Sequence, residues 1–181
     1  MALLVVFLAG TATAQTRAAW EPANFPKGTF TATSYGTFTR NLTGPKAIME
    51  SGTVGIGYYI FDNVSLNTEF SAYHNSQDGR DATISALNLL LRQHLLHEGR
   101  FSLFVDVGAS VSIADAPTPP MGTYYNYMEM TGVGSTWALT DNLHLIGGVR
   151  YFHLSNARLK GPVHNPSING MQGYVGLMYR F

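Results

Sequence analysis

The sequence has no cysteine, few charged residues and no long hydrophobic run, and each absence excludes a class of protein. Without cysteine, neither a disulfide framework nor a thiolate metal site can form. Charged residues make up 12% of the chain and sum to zero net charge, so no electrostatic footprint for nucleic acid exists. The longest apolar cluster after the N-terminus, residues 87–91, is interrupted by Asn88 and is far shorter than the roughly 20 residues of a transmembrane helix.

The N-terminus has the pattern of a secretory signal. A short apolar run over residues 3–10 is followed by Ala12-Thr13-Ala14, the small-x-small pattern of a cleavage site. We therefore predict a signal peptide over residues 1–14; a buried strand is the alternative for the same run. Residues 15–27 contain two prolines and predict an irregular lead-in, and residues 28–181 predict one domain.

The rest of the chain alternates apolar residues with small or polar ones. In Phe101–Ile113 every odd position is apolar and most even positions are Ser, Asp or Gly. A period of two is typical of β-strands. Eight such segments occur, over residues 29–38, 49–61, 64–73, 83–94, 101–113, 124–137, 143–155 and 171–181. The segment 124–137 can be phased either way, with Glu129 and Thr131 on one face and Met128 and Met130 on the other.

The connections between these segments alternate in length. Tight turns are predicted near residues 61–63, 97–99 and 140–142, and longer loops over 40–48, 75–81, 114–123 and 156–168. This alternation is typical of outer-membrane barrels, and lipid requires a closed barrel because it satisfies no backbone hydrogen bonds. We therefore predict an all-β fold, an eight-stranded antiparallel β-barrel in the cell outer membrane. A soluble lipocalin-like barrel, with its apolar face inward, is the alternative.

The end of the chain supports the membrane interpretation. Val175, Leu177, Tyr179 and Phe181 share one apolar face. This ending resembles the terminal signature of outer-membrane barrel proteins, whose aromatic residues form girdles at the membrane interfaces. It predicts a periplasmic C-terminus and places the longer loops outside the cell.

Two chemically competent side chains lie at the outer end of the seventh segment. His153 and Ser155 are two residues apart, so they share one face of a strand. A serine becomes a useful nucleophile when a base lies beside it. The shared face is the apolar one, and counting back by twos from Phe181 places Asn169 on the same face of the next segment. A barrel rim with ordinary polar residues is the alternative, because such residues near the interface cost only about 0–1 kcal/mol.

The residues around this pair carry a family resemblance. His153-Leu154-Ser155-Asn156-Ala157, followed by Asn165-Pro166-Ser167-Ile168-Asn169, resembles the signature of the lipid A 3-O-deacylase (PagL) family. The resemblance implies hydrolysis of the ester-linked 3-position acyl chain of lipid A, the membrane anchor of lipopolysaccharide, without a cofactor or a metal. It further implies that Ser155 is the nucleophile, that His153 is the general base and then the acid, and that Asn156 contributes to the oxyanion site.

The chain departs from the family pattern at one position. The family has a Glu that orients the His, whereas the corresponding residue here is most naturally Asn169. An Asn can hold an imidazole by a hydrogen bond but cannot stabilise the imidazolium with a full charge. Three alternatives stay open: Asn169 orients His153, a carboxylate comes from elsewhere, or the activity has decayed. Glu129 can be that carboxylate only if its strand is phased outward.

The sequence also permits other functions and contains other candidate residues. A non-catalytic barrel with structural or adhesive loops is the main alternative, and a barrel acyltransferase is disfavoured because it would hold the acyl chain inside. A homodimer stays open. Glu69, Arg92 and Asp106 predict an interior polar network. Arg158 and Lys160 are either contacts for lipid A phosphates or an exposed loop. The remaining histidines lack metal-ligand spacing and are predicted to be surface or loop residues: His74, His94, His97, His144 and His164.

Overall fold

The structure is a computed structural model that describes residues 25–44, 46–161 and 165–181. The predicted signal peptide over residues 1–14 and most of the predicted lead-in over 15–27 lie outside the described residues. Within those residues, no helix has the length and apolar character needed to cross a membrane.

Eight antiparallel strands close into one barrel, in which each strand pairs with the next and the last pairs with the first. The predicted all-β fold is therefore confirmed. The strands are β1 (Phe30–Thr43), β2 (Ala47–Phe61), β3 (Val64–Gln77), β4 (Ala82–Glu98), β5 (Phe101–Thr118), β6 (Thr123–Ala138), β7 (Leu143–Ser155) and β8 (Ile168–Arg180).

The apolar face of the alternating pattern points outward. The apolar residues of the pattern are exposed on the outer wall, for example Phe38, Ile56, Val111 and Val175. The residues that alternate with them along each strand face the interior. This arrangement is the reverse of a lipocalin-like barrel and matches a wall in contact with lipid. The interior is packed with side chains, in keeping with the narrow bore of eight strands.

The strands extend further than the alternation of hydrophobicity predicted. The predicted loops over 40–48, 75–81 and 114–123 shrink to connections at 44–46, 78–81 and 119–122. Near these ends the chain keeps its backbone pairing while the outward residues become polar, so the hydrophobic pattern fades before the strand does. Only the β7–β8 connection, residues 156–167, stays long among these four.

The phase of β6 is determined by packing inside the barrel. Met128 and Met130 are buried in an interior apolar cluster with Phe152 and Leu154. Because successive side chains on a strand point to opposite faces, Glu129 lies on the outer wall, where it is exposed. This is the phase that makes Glu129 a candidate partner of His153.

The middle of the barrel holds the predicted polar network. Glu69, Arg92 and Asp106 are each nearly fully buried, and Arg150 joins them. Asp106 accepts hydrogen bonds from both guanidinium groups, at 3.2 Å from Arg92 and 2.8 Å from Arg150. The Tyr35 hydroxyl donates to Glu69. Two carboxylates and two guanidinium groups therefore compensate one another in a buried site, as buried charges require.

The histidine prediction was wrong at two positions. His94 and His144 are buried inside the barrel at the end opposite His153, where their rings surround Phe25. They lie there because even-numbered positions of β4 and β7 face the interior. His97 is half-buried in the same cluster. His74 is exposed, 3.7 Å from Asp81, and His164 lies outside the described residues.

Candidate active site on the outer wall

The end of β7 brings His153 and Ser155 together on the outer wall. The Nε2 atom of His153 lies 3.1 Å from the Ser155 hydroxyl oxygen. The intervening Leu154 points into the barrel and is fully buried, so the alternation of the strand places the pair on one side. The distance is within the hydrogen-bond reach that a general base needs for the proton it removes.

Asn169 holds the other side of the imidazole. It lies directly opposite His153 in the β7–β8 register, and its Oδ1 atom is 2.6 Å from His153 Nδ1. An amide oxygen only accepts, so Nδ1 carries the hydrogen and Nε2 is free to accept the proton of Ser155. This tautomer is the one that a base acting on serine requires.

Three further contacts fix the Asn169 amide. Its Nδ2 atom donates to Ser167 Oγ at 2.9 Å, which turns Oδ1 toward the histidine. The Tyr151 hydroxyl donates to the same Oδ1 at 3.0 Å, and the Asn169 main-chain N–H donates to Asn41 Oδ1 at 2.8 Å. Tyr151 lies two residues before His153 and therefore shares its outward face, which the sequence alone indicates. The contribution of Asn41 comes from β1 and required the closed barrel.

The site opens to the lipid side and not to the barrel interior. His153 is half-buried, and Ser155 keeps 9% of its surface exposed. The residues around them on the outer wall are exposed and largely apolar: Tyr127, opposite Ser155 on β6, and Met171, two residues after Asn169. The serine therefore faces the outer wall and not the barrel interior.

The chain turns sharply just after the serine. Ala157 and Arg158 both have positive φ, at 50° and 64°, which is uncommon for residues other than glycine. Asn156 is almost fully buried; its main-chain N–H donates to Asn165 Oδ1 at 3.0 Å, and its own Oδ1 accepts from the Arg158 N–H at 3.0 Å. These bonds tie both ends of the β7–β8 connection to the end of β7.

Glu129 completes a row of polar side chains across three strands. It is the register partner of His153 on β6, as Asn169 is on β8. The sequence left open which face of β6 points outward. The interior packing of Met128 and Met130, which flank Glu129, resolves this question.

Two cations follow the site in the β7–β8 connection. Arg158 and Lys160 are exposed, which is compatible with both sequence alternatives. Lys160 contributes to a recess of about 440 Å³ at the end of the barrel that carries the β5–β6 and β7–β8 connections. The recess is lined by Gly122, Thr123, Tyr124, Tyr125 and Lys160. A contact of either cation with lipid A phosphates stays a prediction.

Comparison with known proteins identifies the architecture and a family. The family model for lipid A 3-O-deacylase (PagL) matches residues 47–178. The crystal structure of the outer-membrane enzyme PagL aligns with a TM-score of 0.53 at 16% identity, covering 82% of this chain and 98% of that one. No curated protein sequence matches the chain.

Other solved barrels superimpose equally well. The outer membrane protein OprG from Pseudomonas aeruginosa gives a TM-score of 0.59 at 14% identity, covering 88% of this chain and 99% of that one. Neisserial surface protein A gives 0.58 at 16% identity, covering 84% and 96%. At such identities these likenesses establish only the barrel fold, so the family assignment depends on the sequence match.

Proposed function

The chain belongs to the lipid A 3-O-deacylase (PagL) family of the outer membrane, and on that basis we propose that it removes the ester-linked 3-position acyl chain of lipid A. The observation that carries the proposal is the contact of His153 Nε2 with the Ser155 hydroxyl on the lipid-facing wall, with Asn169 holding the opposite ring nitrogen. The substrate's ester lies in the outer leaflet, beside that wall.

The proposed chemistry is acyl transfer in two halves. Ser155 Oγ attacks the acyl carbonyl carbon while its proton passes to His153 Nε2. His153 then gives that proton to the 3-oxygen of the sugar as the ester bond breaks, which leaves the acyl group on Ser155. A water molecule, deprotonated by His153, releases the fatty acid and regenerates the serine.

Two asparagines support these steps. Asn169 fixes the tautomer and direction of the imidazole through its Oδ1. Asn156 is the proposed oxyanion donor. This assignment comes from the family pattern, and the Asn156 main-chain N–H donates to Asn165 Oδ1.

The membrane supplies the positioning. Lipid A is confined to the leaflet, and its acyl chains run alongside the outward residues of β6 to β8. Such confinement replaces part of the entropy cost that a freely diffusing ester would meet. A deep cleft is therefore unnecessary for substrate positioning. A homodimer stays a prediction that chemical cross-linking in membranes tests.

Mass spectrometry of lipid A from outer membranes of cells that express the chain tests the proposal. We expect loss of one 3-hydroxyacyl chain with the native protein and intact lipid A with Ser155→Ala. Ser34→Ala is the matched control, since Ser34 also faces outward but lies on β1 without a histidine partner. If gel mobility shows that all the barrels are folded and lipid A is still intact in every sample, the non-catalytic alternative is supported.

A further inference from the structure

The carboxylate of Glu129 faces the same wall as the Ser155 and His153 pair. Glu129 on β6 is directly opposite His153, and Asn169 on β8 is directly opposite from the other side. Neighbours in such a row have Cβ atoms about 4.5–5.5 Å apart. His153 thus lies between an acid and an amide.

Nothing else in the fold explains a carboxylate at this place. The two interior acids, Glu69 and Asp106, are each compensated by a buried arginine. By contrast, across residues 25–44, 46–161 and 165–181, no ion pair or hydrogen bond engages the side chain of Glu129. Its charge is therefore free to act on the neighbouring side chains of the same row.

The surroundings of His153 lack any other negative charge. The titratable groups that face it are Glu129 and Tyr127 from β6 and Tyr151 from its own strand, while β8 offers only the neutral Asn169 and Met171. The cations nearest in sequence, Arg158 and Lys160, lie in the following connection. A histidine that becomes cationic during acyl transfer therefore has one acidic neighbour among the described residues.

We propose that Glu129 is a positioning residue that stabilises protonated His153 through its negative charge. Both ring nitrogens of His153 are already engaged, by Ser155 and Asn169, so Glu129 acts through space and not through a hydrogen bond. The inference rests on the proposed function. It assigns the charge that Asn169 cannot provide to a residue on the other neighbouring strand.

Glu129→Gln tests this role, because it keeps the shape of the side chain and removes its charge. Glu50→Gln is the matched control: Glu50 is also an exposed outward carboxylate, but β1 and β8 separate it from β7. We expect Ser155-dependent cleavage by purified protein to fall about tenfold in Glu129→Gln, which corresponds to about 1.4 kcal/mol of lost transition-state stabilisation. The rate should stay unchanged in Glu50→Gln. Adding Asn169→Glu to Glu129→Gln should restore the rate, because it returns a carboxylate to the row.

The pH profile separates an electrostatic role from a structural one. His153 accepts a proton only when neutral, so the rate falls on the acidic side of its titration. Because a nearby carboxylate interacts with the protonated ring, its removal should displace the acidic limb of this profile. A mere folding defect would lower the whole profile without moving the limb.

Titration of the His153 ring by NMR in the Ser155→Ala protein gives a result independent of activity. We expect Glu129→Gln, and not Glu50→Gln, to change the midpoint of this titration. If wild-type protein cleaves lipid A and Glu129→Gln matches Glu50→Gln in rate, limb and midpoint, the inference is overturned while the proposed function stands. If wild-type protein shows no Ser155-dependent cleavage, the proposed function fails, and the ring titration still decides whether Glu129 acts on His153.

Discussion

Replacing Asn169 by Asp should make the proposed ester hydrolysis faster. Asp has the shape of Asn, so its Oδ1 can occupy the position 2.6 Å from His153 Nδ1 and still accept from Tyr151. The one lost donor is Nδ2, which contacts Ser167 Oγ; that hydroxyl can rotate and donate to the new carboxylate instead. The main-chain bond to Asn41 is unaffected.

The expected gain follows from the change in the hydrogen bond to His153. A neutral hydrogen bond contributes about 0.5–1.5 kcal/mol and one to a charged group about 1.5–3 kcal/mol, so the carboxylate should stabilise the imidazolium by about 1 kcal/mol more. A difference of that size corresponds to about fivefold in rate. Asn169→Leu removes the acceptor at similar volume and should reduce the rate by about 10- to 100-fold, because the imidazole loses its fixed tautomer and orientation.

The assay is the initial rate of acyl release from lipid A in detergent micelles by refolded protein, normalised to the folded fraction. Ser155→Ala gives the background. The reasoning is refuted if Asn169→Asp is no faster than the native protein and Asn169→Leu is no slower, since Asn169 would then have no influence on His153.

Two stability predictions concern the barrel itself. Asp106→Ala leaves Arg92 and Arg150 without the buried carboxylate that both contact. It should therefore reduce the free energy of unfolding, measured by urea titration, by about 3–5 kcal/mol. Asp141→Ala, in an exposed turn, should leave that free energy unchanged. Equal midpoints would contradict the network. Gly176→Ala places a Cβ in steric conflict with the Ser34 carbonyl oxygen and should reduce the free energy of unfolding by about 1–3 kcal/mol, whereas Gly173→Ala meets nothing within 4 Å and should be tolerated. The reverse order of stabilities would contradict the β1–β8 register.

The barrel was predictable from the sequence because each strand has one face in lipid. The alternation in Phe101–Ile113 fixes both the strand and its outward side. The strand ends were less predictable: residues 114–118 continue β5 beyond the last hydrophobic residue of the alternation, where neither face has a strong apolar signal. Backbone pairing there depends on the neighbouring strand, which a local pattern does not report.

The candidate site was predictable where the alternation of residues along a strand determines which side chains share a face. Counting by twos along β7 and β8 placed His153, Ser155 and Asn169 on one wall, and hairpin neighbours with that parity meet in the structure. The position of Glu129 required the phase of β6, whose two faces are similar in hydrophobicity, and the β6–β7 register. Both depend on interior packing between strands and not on local sequence.

The most direct test of the account is labelling of the folded protein in micelles with a long-chain alkyl fluorophosphonate, followed by peptide mass spectrometry. An activated serine on the lipid-facing wall predicts one adduct, on Ser155, which disappears in His153→Ala while outward Ser34 stays unlabelled in both proteins. An unlabelled Ser155 in a folded native barrel, or labelling that is unchanged by His153→Ala, would contradict the claim that this histidine activates this serine.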